Sequence, residues 1–159
     1  MEARTLGGIE HVYREQAGRL WRSLLVFTGD PDVASDAVAE AFAQVIARGQ
    51  RVLDPASWVW RVAYRIAAGE LQRRAATRSD GVVPDRPAEM AEHDVDLMAA
   101  VAQLPQRQRA AIVLHYLSDL STPEIARTLR VTPATVRVLL LQGRRRLRGL
   151  LGWTDERPA

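Results

Sequence analysis

Side chains capable of chemistry are few in this chain, and their spacing does not suit catalysis. The three histidines, His11, His93 and His115, lie far apart, and no pair has the spacing of a metal site. Cysteine is absent, which excludes disulfides, thiolate metal centres and a cysteine nucleophile. The adjacent glycines Gly7 and Gly8 follow no strand-like run and so make no phosphate loop. Asp80, Asp85, Glu89, Glu92 and Asp94 crowd into one stretch with Gly81 and two prolines, which is the composition of a solvated connector and not of a general-acid pair. An enzyme, a metal, a cofactor and a small-molecule substrate are therefore not expected.

What remains is cationic chemistry. All 22 basic residues are arginine, and lysine and asparagine are missing altogether. The planar guanidinium fork suits phosphates and guanine edges, although a GC-rich genome would produce the same bias without function. The distribution of charge says more than the net +3. Residues 1–77 carry a balance of +1, residues 78–96 one of −4, and residues 97–159 one of +6. A basic C-terminal part behind an acidic connector points to a polyanion partner.

These residues need elements to hold them. Ile9, Val12, Leu20 and Leu24 recur on one helical face, so a first helix is expected from about Ile9 to Phe27, ended by Thr28-Gly29-Asp30. A second should open at Asp30-Pro31 or Asp32, carry Ala34, Ala37, Val38, Ala41, Phe42, Val45 and Ile46, and stop at Gly49. Asp54 as N-cap and Pro55 in first position predict a third, to about Arg74. After the connector, helices are expected near Val95–Gln103, Pro105–Leu117, Thr122–Arg130 and Pro133–Leu151. No useful strand pattern appears, so the expected fold is all-α, with two small helical domains joined by a flexible linker. No run approaches the roughly 18 apolar residues of a membrane span, and the start lacks a leader pattern, so a soluble cytoplasmic protein is expected.

The most specific motif is Ser121-Thr-Pro-Glu-Ile-Ala-Arg-Thr-Leu-Arg-Val-Thr-Pro-Ala-Thr-Val-Arg137, which has the form of a helix-turn-helix. Either Ser121 pairs with Glu124 as a capping box or Thr122 caps with Pro123 in first position. Ile125, Ala126 and Leu129 fall on one side of the short helix, Val131 sits in the turn, and Val136 and Leu140 face back from the next helix. Thr132 caps that second helix, so Ala134, Thr135, Arg137 and Val138 occupy the end that enters a major groove in such motifs. Arg144, Arg145, Arg146 and Arg148 continue the helix within reach of phosphates.

Leu104-Pro-Gln-Arg-Gln-Arg-Ala-Ala-Ile-Val-Leu-His-Tyr116, followed by this motif and Arg144-Arg-Arg-Leu-Arg148, resembles the promoter-binding region four of extracytoplasmic-function (ECF) sigma factors, in the sigma-70 family. Asp36-Ala-Val-Ala-Glu-Ala-Phe42 resembles the helix by which that family docks on RNA polymerase, and Trp58-Val-Trp-Arg-Val-Ala-Tyr64 running to Gln72-Arg-Arg74 resembles its minus-ten helix. The likeness runs from about Ile9 to Leu151. It implies region two at 8–76, an acidic linker at 77–93, region four at 94–152 and a tail at 153–159. It implies contacts to the minus-thirty-five element by Thr122, Thr132, Ala134, Thr135, Arg137, Val138, Arg144 and Arg145. Trp60, Arg61, Tyr64, Arg65, Gln72 and Arg73 would serve the minus-ten element, and Asp36, Ala39, Glu40 and Phe42 the polymerase. Strand opening needs aromatic platforms and cations, so Trp60, Tyr64 and the arginines are expected to be exposed and Trp58 to belong to the core. Core RNA polymerase, promoter DNA, and an anti-sigma factor or activator are the implied partners.

The sequence departs from that pattern at Ala39, Arg65, Gly69, Gln72, Val138, Leu139, Leu141 and Gln142. Leu139, Leu140 and Leu141 cannot all face one core, since successive residues turn about 100° around a helix. The exposed remainder suggests a protein partner, or else a self-contact of the second domain with the first. Two other readings stand beside the sigma factor: a helix-turn-helix regulator acting without polymerase, and a degenerate sigma-like accessory protein that no longer opens promoters.

Overall fold

Caps and apolar stripes set the elements of the computed structural model, which describes residues 2–77 and 92–153. Its α-helices are α1 (Glu2–Thr28), α2 (Pro31–Arg48), α3 (Pro55–Thr77), α4 (Glu92–Ala102), α5 (Gln106–Ile112), α6 (Thr122–Leu129) and α7 (Pro133–Leu151). No strand occurs among the described residues. Of the linker expected over 77–93 and the tail expected over 153–159, residues 78–91 and 154–159 lie outside them.

The start signals act as the sequence suggests. The Asp30 carboxylate accepts from the Asp32 and Val33 amides and opens α2, with Pro31 in the first turn. Asp54 Oδ1 accepts from the Ser57 amide at the head of α3. Of the two options for α6, the chain uses Ser121, whose hydroxyl accepts from the Glu124 amide, which leaves Thr122 in first helical position. Arg130 then turns into the left-handed region at φ 58° and ends α6, a conformation uncommon for a side-chain-bearing residue. Thr132 caps α7 by accepting from the Thr135 amide.

Some boundaries differ from expectation. α1 begins at Glu2 and not at Ile9, and the element expected over Pro105–Leu117 is α-helical only to Ile112, after which Val113–Leu117 forms a wider π turn. The Ser118 amide donates to the Val113 carbonyl across that turn. This register carries the Ser118 hydroxyl into the interior, where it is buried.

The helices form two groups. α1, α2 and α3 pack together around Leu20, Leu24, Phe27, Ala37, Ala41, Val45, Val59 and Ala63, all essentially inaccessible. In the second group α5 and α7 lie close together because Gly143 has no side chain, since a Cβ there would meet Ile112 Cγ1 at 2.7 Å. Leu114, Ile125 and Val136 fill its centre. Burying each of these larger apolar side chains contributes about 1.5–3 kcal/mol.

The groups also pack on each other, chiefly through α3 against α6, with α1 meeting α4 and the π turn. Among the described residues, side-chain hydrogen bonds cross this boundary at Arg19, Arg109, Ser118 and Gln106. Arg19 Nη2 donates to the Ser118 carbonyl at 2.7 Å and Arg109 Nη1 to the Phe27 carbonyl at 2.9 Å. The Ser118 hydroxyl donates to Ser23 Oγ at 2.9 Å, and Gln106 Nε2 to the Ala68 carbonyl at 3.3 Å. The two domains foreseen from the sequence are thus closed against one another.

Candidate nucleic-acid interface

The second helix of the helix-turn-helix presents a clean division of faces. Val136, Leu140 and Gly143 are buried, whereas Ala134, Arg137, Val138, Leu141 and Arg145 form an exposed stripe at three- and four-residue spacing. Thr132 is exposed, and Thr135 is half-buried with its hydroxyl bonded to Thr132 at 2.9 Å. Thr122 is half-buried at the head of α6. Arg144 is engaged by Tyr116: its Nε donates to the Tyr116 hydroxyl, and its guanidinium lies 5.6 Å from that ring's centroid. The stripe therefore offers backbone and side-chain donors, a methyl, an isopropyl group and free-standing guanidinium, which is the equipment of groove recognition.

The leucine run resolves by rotation about α7. Leu140 enters the core, Leu141 is exposed, and Leu139 is half-buried at the boundary with the first group, where it lines a cleft with Phe27 and Tyr64. Of the two explanations for a surplus leucine, the self-contact accounts for Leu139. Leu141 and Val138 remain exposed, at 45% and 51%.

On α3 the structure corrects one expectation. Trp60 and Tyr64 are buried, at 4% and 2% exposure, and not presented to solvent. Residues 60, 63, 64 and 67 share the face that packs on α1, which is the spacing of a core stripe. Trp60 Nε1 donates to Gln16 Oε1 at 2.9 Å, and the Trp60 and Tyr64 rings stack with centroids 6.4 Å apart. Tyr64 bonds Ser23 and lies 5.0 Å from the Phe27 ring. Burial pushes the Tyr64 phenol well above its ordinary range, with the Ser23 hydrogen bond opposing. The spacing of Trp60, Ala63, Tyr64 and Ala67 was the available signal. Trp58, expected in the core, is half-buried, with the Arg48 guanidinium 5.6 Å above its ring.

The polar face of α3 is the one left accessible. Arg65, Gln72 and Arg73 are exposed and Arg61 is half-buried. Arg73 pairs with Glu70 at 2.6 Å, whereas Arg61, Arg65 and Gln72 line the same cleft as Leu139. That cleft, of about 270 Å³, lies between the two helical groups.

α2 divides the residues assigned to the polymerase between two faces. Asp36, Ala39 and Glu40 are exposed together, and Glu40 accepts from Gln44 at 2.9 Å. Phe42, assigned with them, is turned inward at 4% exposure, with the Tyr13 ring packed edge-on at 5.0 Å. Position 42 belongs with Val38 and Val45 on the buried stripe, as the apolar spacing of this helix indicates.

Several residues that fix this arrangement carried no signal. Arg109, Arg19, Ser118 and Gly143 act only through partners distant in the chain. Ser23 had a weak one, as a lone hydroxyl on the apolar face of Leu20, Leu24 and Phe27. The described residues hold no group of acids and histidines able to bind a metal ion, and none of their helices is long and apolar enough to cross a membrane.

Comparison with known proteins agrees with this geometry. Residues 94–147 match the family model for sigma-70, region 4. The chain is 31% identical over 157 residues to the ECF RNA polymerase sigma factor SigE of Mycolicibacterium smegmatis, an alignment covering 89% of this chain and 61% of that longer protein. It is 25% identical to the ECF RNA polymerase sigma factor SigM of Bacillus subtilis, over 93% of this chain and 99% of the other. The sigma factor RpoE of Bartonella quintana, solved in complex with the anti-sigma factor NepR, has the same fold with a TM-score of 0.73 at 17% identity, covering 93% of this chain and 98% of that one. The paired helical groups, the doubly capped helix-turn-helix and the likeness along both halves agree: residues 94–147 match sigma-70, region 4, and the chain is similar to ECF RNA polymerase sigma factors along most of its length.

Proposed function

We propose that this chain acts as a sigma factor, a non-catalytic subunit that joins core RNA polymerase, directs it to promoters and permits initiation. The observation that carries the reading is the exposed stripe of α7, Ala134, Arg137, Val138, Leu141 and Arg145, held by a Thr132-capped helix end within a chain similar to ECF sigma factors along most of its length. Residues 94–152 recognise the minus-thirty-five element on duplex DNA, with Thr122, Thr132, Ala134, Thr135, Arg137, Val138, Arg144 and Arg145 as the contact set. Ala134 and Val138 supply apolar contact to thymine methyls, and the arginines supply guanine edges and phosphates.

Residues 8–76 form the polymerase-docking and minus-ten domain, joined to the other by the linker over 77–93. Asp36, Ala39 and Glu40 form the docking surface, with Phe42 beneath it. Arg61, Arg65, Gln72 and Arg73 hold the opened strand. Trp60 and Tyr64 take part only after repacking: Tyr64 through departure of the second domain from the cleft, Trp60 through release from Gln16. An anti-sigma factor is a fitting further partner, and the cytoplasm the place of action.

Burial of Trp60 and Tyr64 also favours a second reading, an accessory sigma-like protein that joins the polymerase without opening promoters. Transcription from a randomised promoter library with purified core enzyme tests both. Productive initiation at a defined pair of elements supports the sigma factor. Stable co-elution with core enzyme but no open complexes supports the accessory protein. Failure to bind core enzyme at any ionic strength rejects both.

A further inference from the structure

Closing the two domains brings together arginines that the sequence keeps far apart. The interdomain cleft is lined by Arg61 and Arg65 of α3, Arg107 of α5 and Arg130 at the end of α6, and no carboxylate of the described residues lines it. None of these four arginines stands in an ion pair with another described residue. A second cleft shares Arg61 and Arg130 with the first and adds Arg48, Arg51 and Arg127 against a single acid, Asp54. The two clefts adjoin at these shared arginines. Four like charges around a cavity of about 270 Å³ repel one another across the boundary, and concave low-dielectric walls concentrate their field.

We propose that this cleft is a binding site for a small oligophosphate, carried by a nucleotide or free. Guanidinium forks match phosphate oxygens in pairs, and three helices aim them into one space. The cavity has room for a phosphate chain or one nucleotide and not for a duplex. Phe27, Tyr64 and Leu139 give it an apolar floor, and the side chains of Gln72 and Gln106 add amides. Because the arginines come from both domains, a bound oligophosphate ties them together and holds Arg61, Arg65 and Gln72 inside the cleft. Occupancy therefore selects the closed chain over any state that uses the α3 face for another partner. The site exists in the free chain, so its test is independent of whether that chain is a sigma factor.

The test is titration of the purified full chain with inorganic tripolyphosphate, a nucleoside triphosphate and a short single-stranded oligonucleotide, followed by calorimetry and by the separation of the domains. Tripolyphosphate is expected to bind once per chain with a dissociation constant below 1 mM on the scale of paired guanidinium–phosphate contacts, roughly, and to shift the chain towards its compact form. Arg107→Gln and Arg130→Gln should each weaken binding about tenfold, the loss of roughly one charge-assisted contact. Arg146→Gln, on an exposed part of α7 away from the cleft, should leave it unchanged. Equal affinity for the two phosphates assigns recognition to the phosphate chain, and tighter nucleotide binding adds a contact to the base; either supports the site. Equal weakening by all three substitutions, several anions per chain, or binding of the oligonucleotide alone through Arg107 and Arg130 would overturn it.

Discussion

Replacing Arg109 with methionine should loosen the closure of the two domains without unfolding either. The Arg109 guanidinium spans the boundary: it donates to the Phe27 carbonyl at 2.9 Å and lies 5.7 Å from the centroid of the Phe27 ring. That carbonyl belongs to the last turn of α1, where helix carbonyls lack intrahelical partners and the helix end carries partial negative charge. A hydrogen bond to a charged group contributes about 1.5–3 kcal/mol, and a cation over an aromatic face about 0.5–2 kcal/mol. Burial opposes these gains. It lowers the Arg109 pKa from its ordinary value, which is the signature of a cation losing solvation without a carboxylate beside it. Methionine keeps the aliphatic contact with Phe27 while removing both the charge and its solvation cost. The net loss of closure should be about 1–2 kcal/mol, a five- to thirtyfold rise in the ratio of open to closed chains. The absence of cysteine makes the measurement direct. Ala43→Cys and Gln103→Cys put one dye on each domain at exposed positions, and single-molecule energy transfer then counts the two states. Unchanged helicity with an unchanged transfer distribution would refute the reasoning, because the guanidinium would then contribute nothing across the boundary.

Leu139→Arg should open the chain in the same assay, since Leu139 lines the interdomain cleft, whereas Leu141→Arg should not, its side chain being exposed. Gly143→Ala should destabilise the second domain despite alanine's better helix propensity of about 1 kcal/mol: the new Cβ would meet Ile112 at 2.7 Å, and overpacking costs about 1–3 kcal/mol. Denaturant unfolding decides the sign. Asp30→Ala should cost about 1 kcal/mol or more at pH 7 through loss of the α2 cap and of the 2.5 Å pair with Arg74. The Arg74 hydrogen bond holds the Asp30 carboxyl below its ordinary 3.8, so this stabilisation is complete above that value and disappears as pH falls through the lower folded pKa. The gap between parent and variant should therefore narrow as pH falls below the ordinary value, and a gap that is independent of pH down to acid unfolding would contradict the assignment.

Much of the architecture was legible in the chain itself. Asp30, Asp54, Ser121 and Thr132 open their helices because a short polar side chain can satisfy amides that have no partner at a helix start. That information is local, and α7 runs from Pro133 to Leu151 as its spacing indicates. The helix-turn-helix was legible for the same reason, with Val136 and Leu140 inward and Arg137 and Val138 outward. Polarity misled the reading where residue type suggested a function but position dictated a core. Trp60, Tyr64 and Phe42 fall on buried stripes, and an aromatic ring gains more from an apolar neighbour than from standing in water. Periodicity could have found Trp60 and Tyr64, and it had already set Phe42 on the apolar stripe of α2.

Tertiary structure alone decided how the two domains meet. Nothing near Arg109 in the chain indicates that its partner is the carbonyl of Phe27, and nothing near Ser118 indicates Ser23. Hydrogen bonds across such separations depend on where whole helices come to rest, and helix packing is settled by the summed fit of many side chains. The cleft that gathers Arg61, Arg65, Arg107 and Arg130 is of the same kind, since its charges come together only after α3 has packed on α6. Sequence determined the elements and the faces they present, because capping and periodicity act within a few residues. The docking of those faces, and with it which functional groups are covered, was left to contacts that exist only once the chain has closed.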